Sequence, residues 1–418
     1  MAYMCITGLL FLLQILMLPV PECRAKVPAI IVFGDSSVDS GNNNFISTIA
    51  KGNFAPYGRD FPGGGATGRF CNGRLPPDFL SEAFGLKPTI PAYLDPMYNI
   101  SDFATGVCFA SAGSGYDNAT ADVLVSIPSK KYFILILRHA RFHELIYLLP
   151  VIPNCRFCAK FHFLSKNVIT IDNYFFLLMV TYILLPMLTL QGVIPLWQEL
   201  EHYKDYQKIL KAYIGAVKAK EIITEALYIM SLGTNDFLEN YYAIPARRSQ
   251  FTIQQYQDFL IGLAENFVKQ LFGLGARKLS LTGLSPMGCL PLERATNFMH
   301  PNNCVKEYND LALEFNGKLN SLVAKLNGEL PGMKVLFANP YDLLLRLITA
   351  PSLYGFENAE VGCCGSGSFE MGILCTRDHP LTCTDANKYI FWDAFHLTDR
   401  TNQIVSAYLF KDLKSNFL

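Results

Sequence analysis

Five short, mainly apolar runs, each stopped by turn-forming residues, constrain this chain more than any other feature. They are Ala29 to Phe33 before Gly34, Gly106 to Ala110 before small residues, Leu227 to Leu232 before Gly233, Lys278 to Leu284 before Ser285-Pro286, and Lys334 to Ala338 before Asn339-Pro340. Runs of this length and bounding match strands buried inside a parallel sheet. Helical patterns lie between several of them. Thr252 is placed to cap a helix that buries Tyr256, Phe259, Leu260, Leu263, Phe267 and Leu271 and ends at Gly273 and Gly275. Val305, Tyr308, Leu311, Phe315, Leu319, Leu322 and Leu326 mark a second helix, and Pro195 to about Val217 a third, polar on one face. Alternating strands and helices imply an α/β fold, a three-layer α/β/α sandwich around a roughly five-stranded parallel sheet. Sites in such folds lie beyond the carboxyl ends of the strands, where the polar and glycine-rich turns of this chain sit.

Two apolar segments stand outside that pattern. Gly8 to Leu18 is too short to cross a bilayer core of about 30 Å, and Pro19, Pro21, Glu22 and then Cys23-Arg24-Ala25 follow it. Residues 1–25 therefore read as a secretory signal peptide. The second segment, about 125–191, holds none of the chain's 30 glycines, two acids (Glu144 and Asp172) and seven Lys or Arg. Three readings compete for it. Residues 174–190 reach the lower length limit for a transmembrane helix, which makes a membrane-tethered protein one alternative. A lipid-facing lid is another. The third, favoured here, is a retained intron translated in frame. Phe, Leu, Ile, Met and Val share U at the second codon position, Val125 fits a 5′ splice site, and Gln191 fits a 3′ one. The expected organisation is a signal peptide and one domain spanning 26–418, interrupted by a foreign insertion that separates Leu124 from Gly192.

The overall balance of 35 basic and 35 acidic side chains is a mixture of unlike parts. Without residues 1–25 and 125–191 the chain has 27 basic and 32 acidic residues, a net charge of −5. That mild acidity argues against nucleic acid as a partner. Secretion makes the cysteines interpretable. Cys289, Cys304, Cys363, Cys364, Cys375 and Cys383 crowd the C-terminal third, and an oxidising compartment favours disulfides over metal thiolates, with connectivity left open. Asn99-Ile100-Ser101 and Asn118-Ala119-Thr120 are glycosylation acceptors.

Four motifs carry chemistry. Phe33-Gly34-Asp35-Ser36 ends the first run, and a serine on such a turn exposes Oγ beside free N–H groups. Ser111-Ala112-Gly113-Ser114-Gly115 follows the second, with small residues that let backbone approach an oxyanion. Gly233-Thr234-Asn235-Asp236 follows the third and offers an amide donor, although an Asn or Asp there would also cap the next helix. Asp393 and His396 are spaced so that the carboxylate reaches Nδ1 and leaves Nε2 free to face a serine. Taken singly, each is also an ordinary turn or a structural pair.

Together, and in this chain order, the motifs resemble the plant GDSL-type esterase/lipase branch of the SGNH hydrolases. The resemblance covers 27–124 and 192–418, including Gly288-Cys289-Leu290-Pro291 and Gly362-Cys363-Cys364-Gly365. It implies Ser36 as nucleophile, His396 as general base and then acid, and Asp393 as its orienting carboxylate. The implied oxyanion hole is the Ser36 N–H, the Gly113 N–H and the Asn235 side chain, and no metal or organic cofactor is implied. Three positions depart from the family pattern: Cys108 replaces a usual Asn, Ala112 a common Gly, and Leu397 a frequent Pro. His202, His300 and His379 lack comparable partner spacing and read as surface residues. The expected function is a secreted serine ester hydrolase of the cell wall or apoplast acting on lipid or cell-wall esters. A catalytically silent or wall-binding isoform is the alternative. Acyl length and oligomeric state are not legible.

Overall fold

The computed structural model describes residues 27–123, 192–297, 300, 302–377 and 379–418. The expected signal peptide and the expected insertion at 125–191 lie outside these residues. Five parallel strands form the main sheet: β1 (Ile30–Gly34), β2 (Gly106–Cys108), β3 (Leu227–Ser231), β4 (Lys278–Thr282) and β5 (Lys334–Ala338), in the order β2-β1-β3-β4-β5. Their register is direct, with Ile30 beside Gly106 and Leu227, Leu227 beside Lys278, and Lys278 beside Lys334. All five expected runs are strands. β2, β3 and β4 end earlier than their apolar stretches, because Phe109, Leu232 and Leu284 continue past the sheet into its carboxyl-end loops. The strand order reverses between β1 and β3, the place where open α/β sheets leave a crevice for ligands.

Seven longer helices cover the sheet: α1 (Pro76–Ala83), α2 (Leu196–Ile214), α3 (Ala216–Glu225), α4 (Ile253–Gly273), α5 (Lys306–Glu329), α6 (Tyr341–Thr349) and α7 (Asp399–Phe417). Thr252 caps α4 as its sequence suggests. It accepts from Gln255 N at 3.3 Å, and Gln255 Oε1 accepts from Thr252 N at 2.9 Å, a reciprocal capping box. The expected single helix to about Val217 is instead two. Gly215, at φ 83°, closes α2 at Ile214, and α3 begins one residue later. One face of the sheet packs Phe33, Tyr228, Met230, Leu279 and Leu281 into the large core with α2, α4 and α5. The other packs Ile30, Val32, Cys108, Leu227 and Ile229 with Leu80 of α1 and Leu413 of α7.

A second sheet pairs β6 (Asn358–Gly362) in parallel with β7 (Tyr389–Phe391). It was not expected from the sequence, yet it carries the Asp393–His396 turn. All six clustered cysteines are oxidised, as Cys289–Cys304, Cys363–Cys383 and Cys364–Cys375, while Cys71 and Cys108 are free and buried. Among the described residues no helix is long and apolar enough to cross a membrane; residues 174–190 are not among them. Val193 N donates to Ala121 O at 3.0 Å, so the two flanks of the 125–191 segment touch.

Candidate active site

The turn after β1 carries Ser36, and Gly34 makes that turn possible. Its φ of 151° is open to glycine, and a Cβ there would lie 2.4 Å from Ser231 O on β3. Asp35 N donates to that same carbonyl at 3.1 Å, which clamps the turn to β3. Gly34 N donates to Glu199 Oε2 at 3.0 Å from beneath, and burial pushes the Glu199 carboxyl well above its usual range. Glu199 was missed in the sequence because it reads as part of the polar face of α2, yet it is fully buried.

His396 and Asp393 reach Ser36 from the far end of the chain. His396 Nε2 lies 2.8 Å from Ser36 Oγ, and His396 Nδ1 lies 2.8 Å and 2.9 Å from Asp393 Oδ2 and Oδ1. Asp393 Oδ1 also accepts from the N–H groups of Phe395 and His396 at 2.8 Å and 2.7 Å, which fixes the turn between them. Phe70 stacks against the imidazole at 4.9 Å between ring centroids. Asp393 is fully buried, which alone would raise its carboxyl. The His396 ring, then the hydrogen bonds from His396 and Tyr57, outweigh that and hold it below the usual carboxylate range. An ionised carboxylate on Nδ1 makes that nitrogen the donor and leaves Nε2 as acceptor for the serine proton.

Tyr57 is the main site neighbour that the sequence did not disclose. Its hydroxyl donates to Asp393 Oδ2 at 2.7 Å and accepts from Gly372 N at 2.8 Å. Burial, reinforced by the Asp393 charge, pushes the phenol well above its ordinary range, so it stays a donor. No local pattern marks a tyrosine 336 residues from its partner.

The turns after β2 and β3 are tied to the serine turn and to each other. Asp39 accepts from Gly41 N, Asn42 N and Ala112 N at 2.7, 2.8 and 3.1 Å, and burial pushes its carboxyl up to about 6. Asn42 Nδ2 donates to the carbonyls of Cys108 and Ala110, and Asn43 Nδ2 to that of Ala112. Asn235 Nδ2 donates to Ser114 O at 2.9 Å, and its side chain makes no cap bond to the helical segment that follows. Asp236 accepts instead from Tyr116 N, Asp117 N and Thr120 Oγ1. Gly113 has φ 88°. Among the described residues, neither its N–H nor that of Ser36 donates to a protein acceptor. Cys108 and Ala112, the departures from the family pattern, are buried in this support, and Cys108 Sγ donates to Val38 O at 3.2 Å. Leu397 forms a bridge to Phe391.

Residues 30–409 match the family described as GDSL-like Lipase/Acylhydrolase. The chain belongs to that family. This GDSL-family chain is 58% identical over 393 residues to GDSL esterase/lipase At2g42990 of Arabidopsis thaliana, covering 94% of the chain and 93% of the relative. GDSL esterase/lipase At2g04570 of the same plant is 50% identical over 393 residues, with the same coverage. GDSL esterase/lipase At4g26790, also from Arabidopsis thaliana, is 47% identical over 412 residues, covering 99% of the chain and 98% of the relative. Membership makes the chain an ester-hydrolysing serine hydrolase. Of the three histidines expected at the surface, His300 is exposed and the other two are half-buried. His202 is half-buried against the Tyr93 ring at 5.5 Å, and His379 lies 3.6 Å from Glu370. Among the described residues no cluster of ligating side chains could hold a metal ion.

Proposed function

We propose that the chain hydrolyses carboxylic esters through an acyl-enzyme on Ser36, with His396 as general base and acid and Asp393 orienting it. The observation that carries this reading is the unbroken run of 2.8 Å contacts from Ser36 Oγ to His396 Nε2 and from Nδ1 to Asp393 Oδ2. Ser36 Oγ bonds to the ester carbonyl carbon as its proton passes to Nε2. The tetrahedral oxyanion collapses, the C–O bond to the alcohol breaks, and Nε2 returns the proton to the leaving oxygen. Water repeats the sequence on the acyl-enzyme and releases the acid. The Ser36 and Gly113 N–H groups and the second amide hydrogen of Asn235 form the oxyanion hole. Their lack of competing protein acceptors among the described residues supports this assignment. No cofactor takes part in these steps.

The natural substrates in this reading are lipid or cell-wall esters met outside the cell, in the wall or apoplast. The three disulfides support an oxidising compartment, and the exposed side chains of Asn99 and Asn118 suit N-glycosylation. Residues 1–25 act as the signal for secretion. Residues 125–191 are a foreign insertion into a single domain, a reading supported by the contact between their flanks at Ala121 and Val193. Ser36→Ala is expected to abolish labelling by a fluorophosphonate and hydrolysis of p-nitrophenyl acetate together. Labelling that persists in Ser36→Ala refutes the assignment.

A further inference from the structure

The two faces of the main sheet are filled differently. Side chains alternate along a strand, so on β4 Leu279 and Leu281 enter the large core while Ser280 and Thr282 point the other way, toward α7. Small hydroxyl residues there leave space that the apolar face of α7 does not fill. The result is a cavity of ≈ 150 Å³ with Ser36 and His396 in its wall. From them it continues inward past Ile229 and Ser280 on the sheet and Val405, Leu409 and Leu413 on α7. These α7 residues recur at helical spacing and form one stripe on the helix. The helix leads away from the reacting groups: it begins at Asp399, and near its far end Asn416 O accepts from Lys334 Nζ at the first residue of β5.

We infer that this cavity is the acyl site, and that it holds a straight aliphatic chain lying along α7 with its carbonyl at Ser36. The inference rests on the ester-hydrolase reading and adds the substrate class. From Asn402 to Leu413, both in the cavity wall, the helix rises about 16 Å, which an extended chain of roughly a dozen carbons matches. Most of the lining is apolar, as a hydrocarbon requires, and burying each methylene there favours longer chains over shorter ones. Ser280 lines the cavity with a small side chain, so the wall contributes little bulk at that point.

The test is a series of p-nitrophenyl esters from acetate through hexanoate and laurate to palmitate, with kcat/KM referred to sites counted by fluorophosphonate titration. The unsubstituted chain is expected to prefer laurate over acetate by about tenfold or more. Val405→Phe, near the mouth, is expected to lower the laurate-to-acetate and hexanoate-to-acetate ratios together. Leu413→Phe, at the far end, is expected to lower the laurate-to-hexanoate ratio by about tenfold and leave hexanoate-to-acetate where it was. Titration counts only reactive sites, so poor folding of a variant does not mimic these shifts. A chain that cleaves acetate but shows one unmoved profile in all three forms overturns the inference alone. A chain that takes up no fluorophosphonate and cleaves no ester removes the hydrolase reading, and the acyl site with it.

Discussion

The Tyr57 hydroxyl donates to Asp393 Oδ2 at 2.7 Å, the same oxygen that lies 2.8 Å from His396 Nδ1. Tyr57 thus shares the carboxylate with the imidazole and touches no reacting atom, so it is a positioning residue. Removing a hydrogen bond to a charged acceptor costs about 1.5–3 kcal/mol. Tyr57→Phe is therefore expected to lower kcat by about tenfold at neutral pH. Losing the donor also makes the carboxylate more basic, so the acid limb of the kcat/KM profile is expected to move to higher pH. A purely structural role for Tyr57 would scale the whole profile and leave the limb in place.

Asn235 spends one amide hydrogen on Ser114 O and has a second for substrate. Replacing it with Asp keeps the size and loses the donor. Asn235→Asp and Asn235→Ala are both expected to reduce kcat by about 10²–10³-fold with a much smaller change in KM. Steady-state kinetics on a short-chain ester checks this, and a loss confined to KM would remove Asn235 from the oxyanion site.

Much of this arrangement was legible because it is local. A buried strand followed by a turn of glycine, proline or small polar residues has a compositional signature, and all five strands of the main sheet bear it. The capping box of Thr252 and Gln255 is legible for the same reason, its two partners being three residues apart. The motif pair Asp393 and His396 sits within one turn, and its partner Ser36 was legible only through the family resemblance. What stayed hidden was either non-local or weakly patterned. β6 mixes Asn358, Glu360 and Gly362 among its apolar residues, and β7 is apolar but only three residues long, so neither stands out as a buried-strand run. Gly215 interrupts a continuous helical pattern with a backbone angle that composition does not display. Glu199 is a charged residue on a helix, ordinarily solvated, whose burial follows from the packing of α2 beneath the β1 turn.

Glu239 gives a pH signature. It is half-buried near Asp35 and His396, and burial, reinforced by the Asp35 charge against the weaker pull of His396, pushes its carboxyl up to about 7 from an ordinary 4.5. A raised acid binds more protons folded than unfolded, so its contribution to stability falls as pH rises from 4.5 through about 7. Glu239→Gln removes that titration. The variant is expected to melt at a higher temperature than the unsubstituted chain at pH 8 and to show no such advantage at pH 4, on matched thermal scans.

Deleting residues 125–191 joins Leu124 to Gly192 across a gap whose flanks already share the hydrogen bond from Val193 N to Ala121 O. The shortened chain is expected to fold and to take up a fluorophosphonate at Ser36 at least as fully as the full chain. Sequencing the transcript provides a separate check on origin, and a message never spliced across this point would sink the intron reading.

Ser36 and His396 are separated by 360 positions and meet at 2.8 Å. On a translating ribosome the imidazole emerges 360 residues after the serine. Throughout that interval the hydroxyl has no base beside it. A nascent chain that has not yet reached His396 therefore carries a harmless serine, and hydrolytic capacity arises only once the Asp393–His396 turn has been made and meets it.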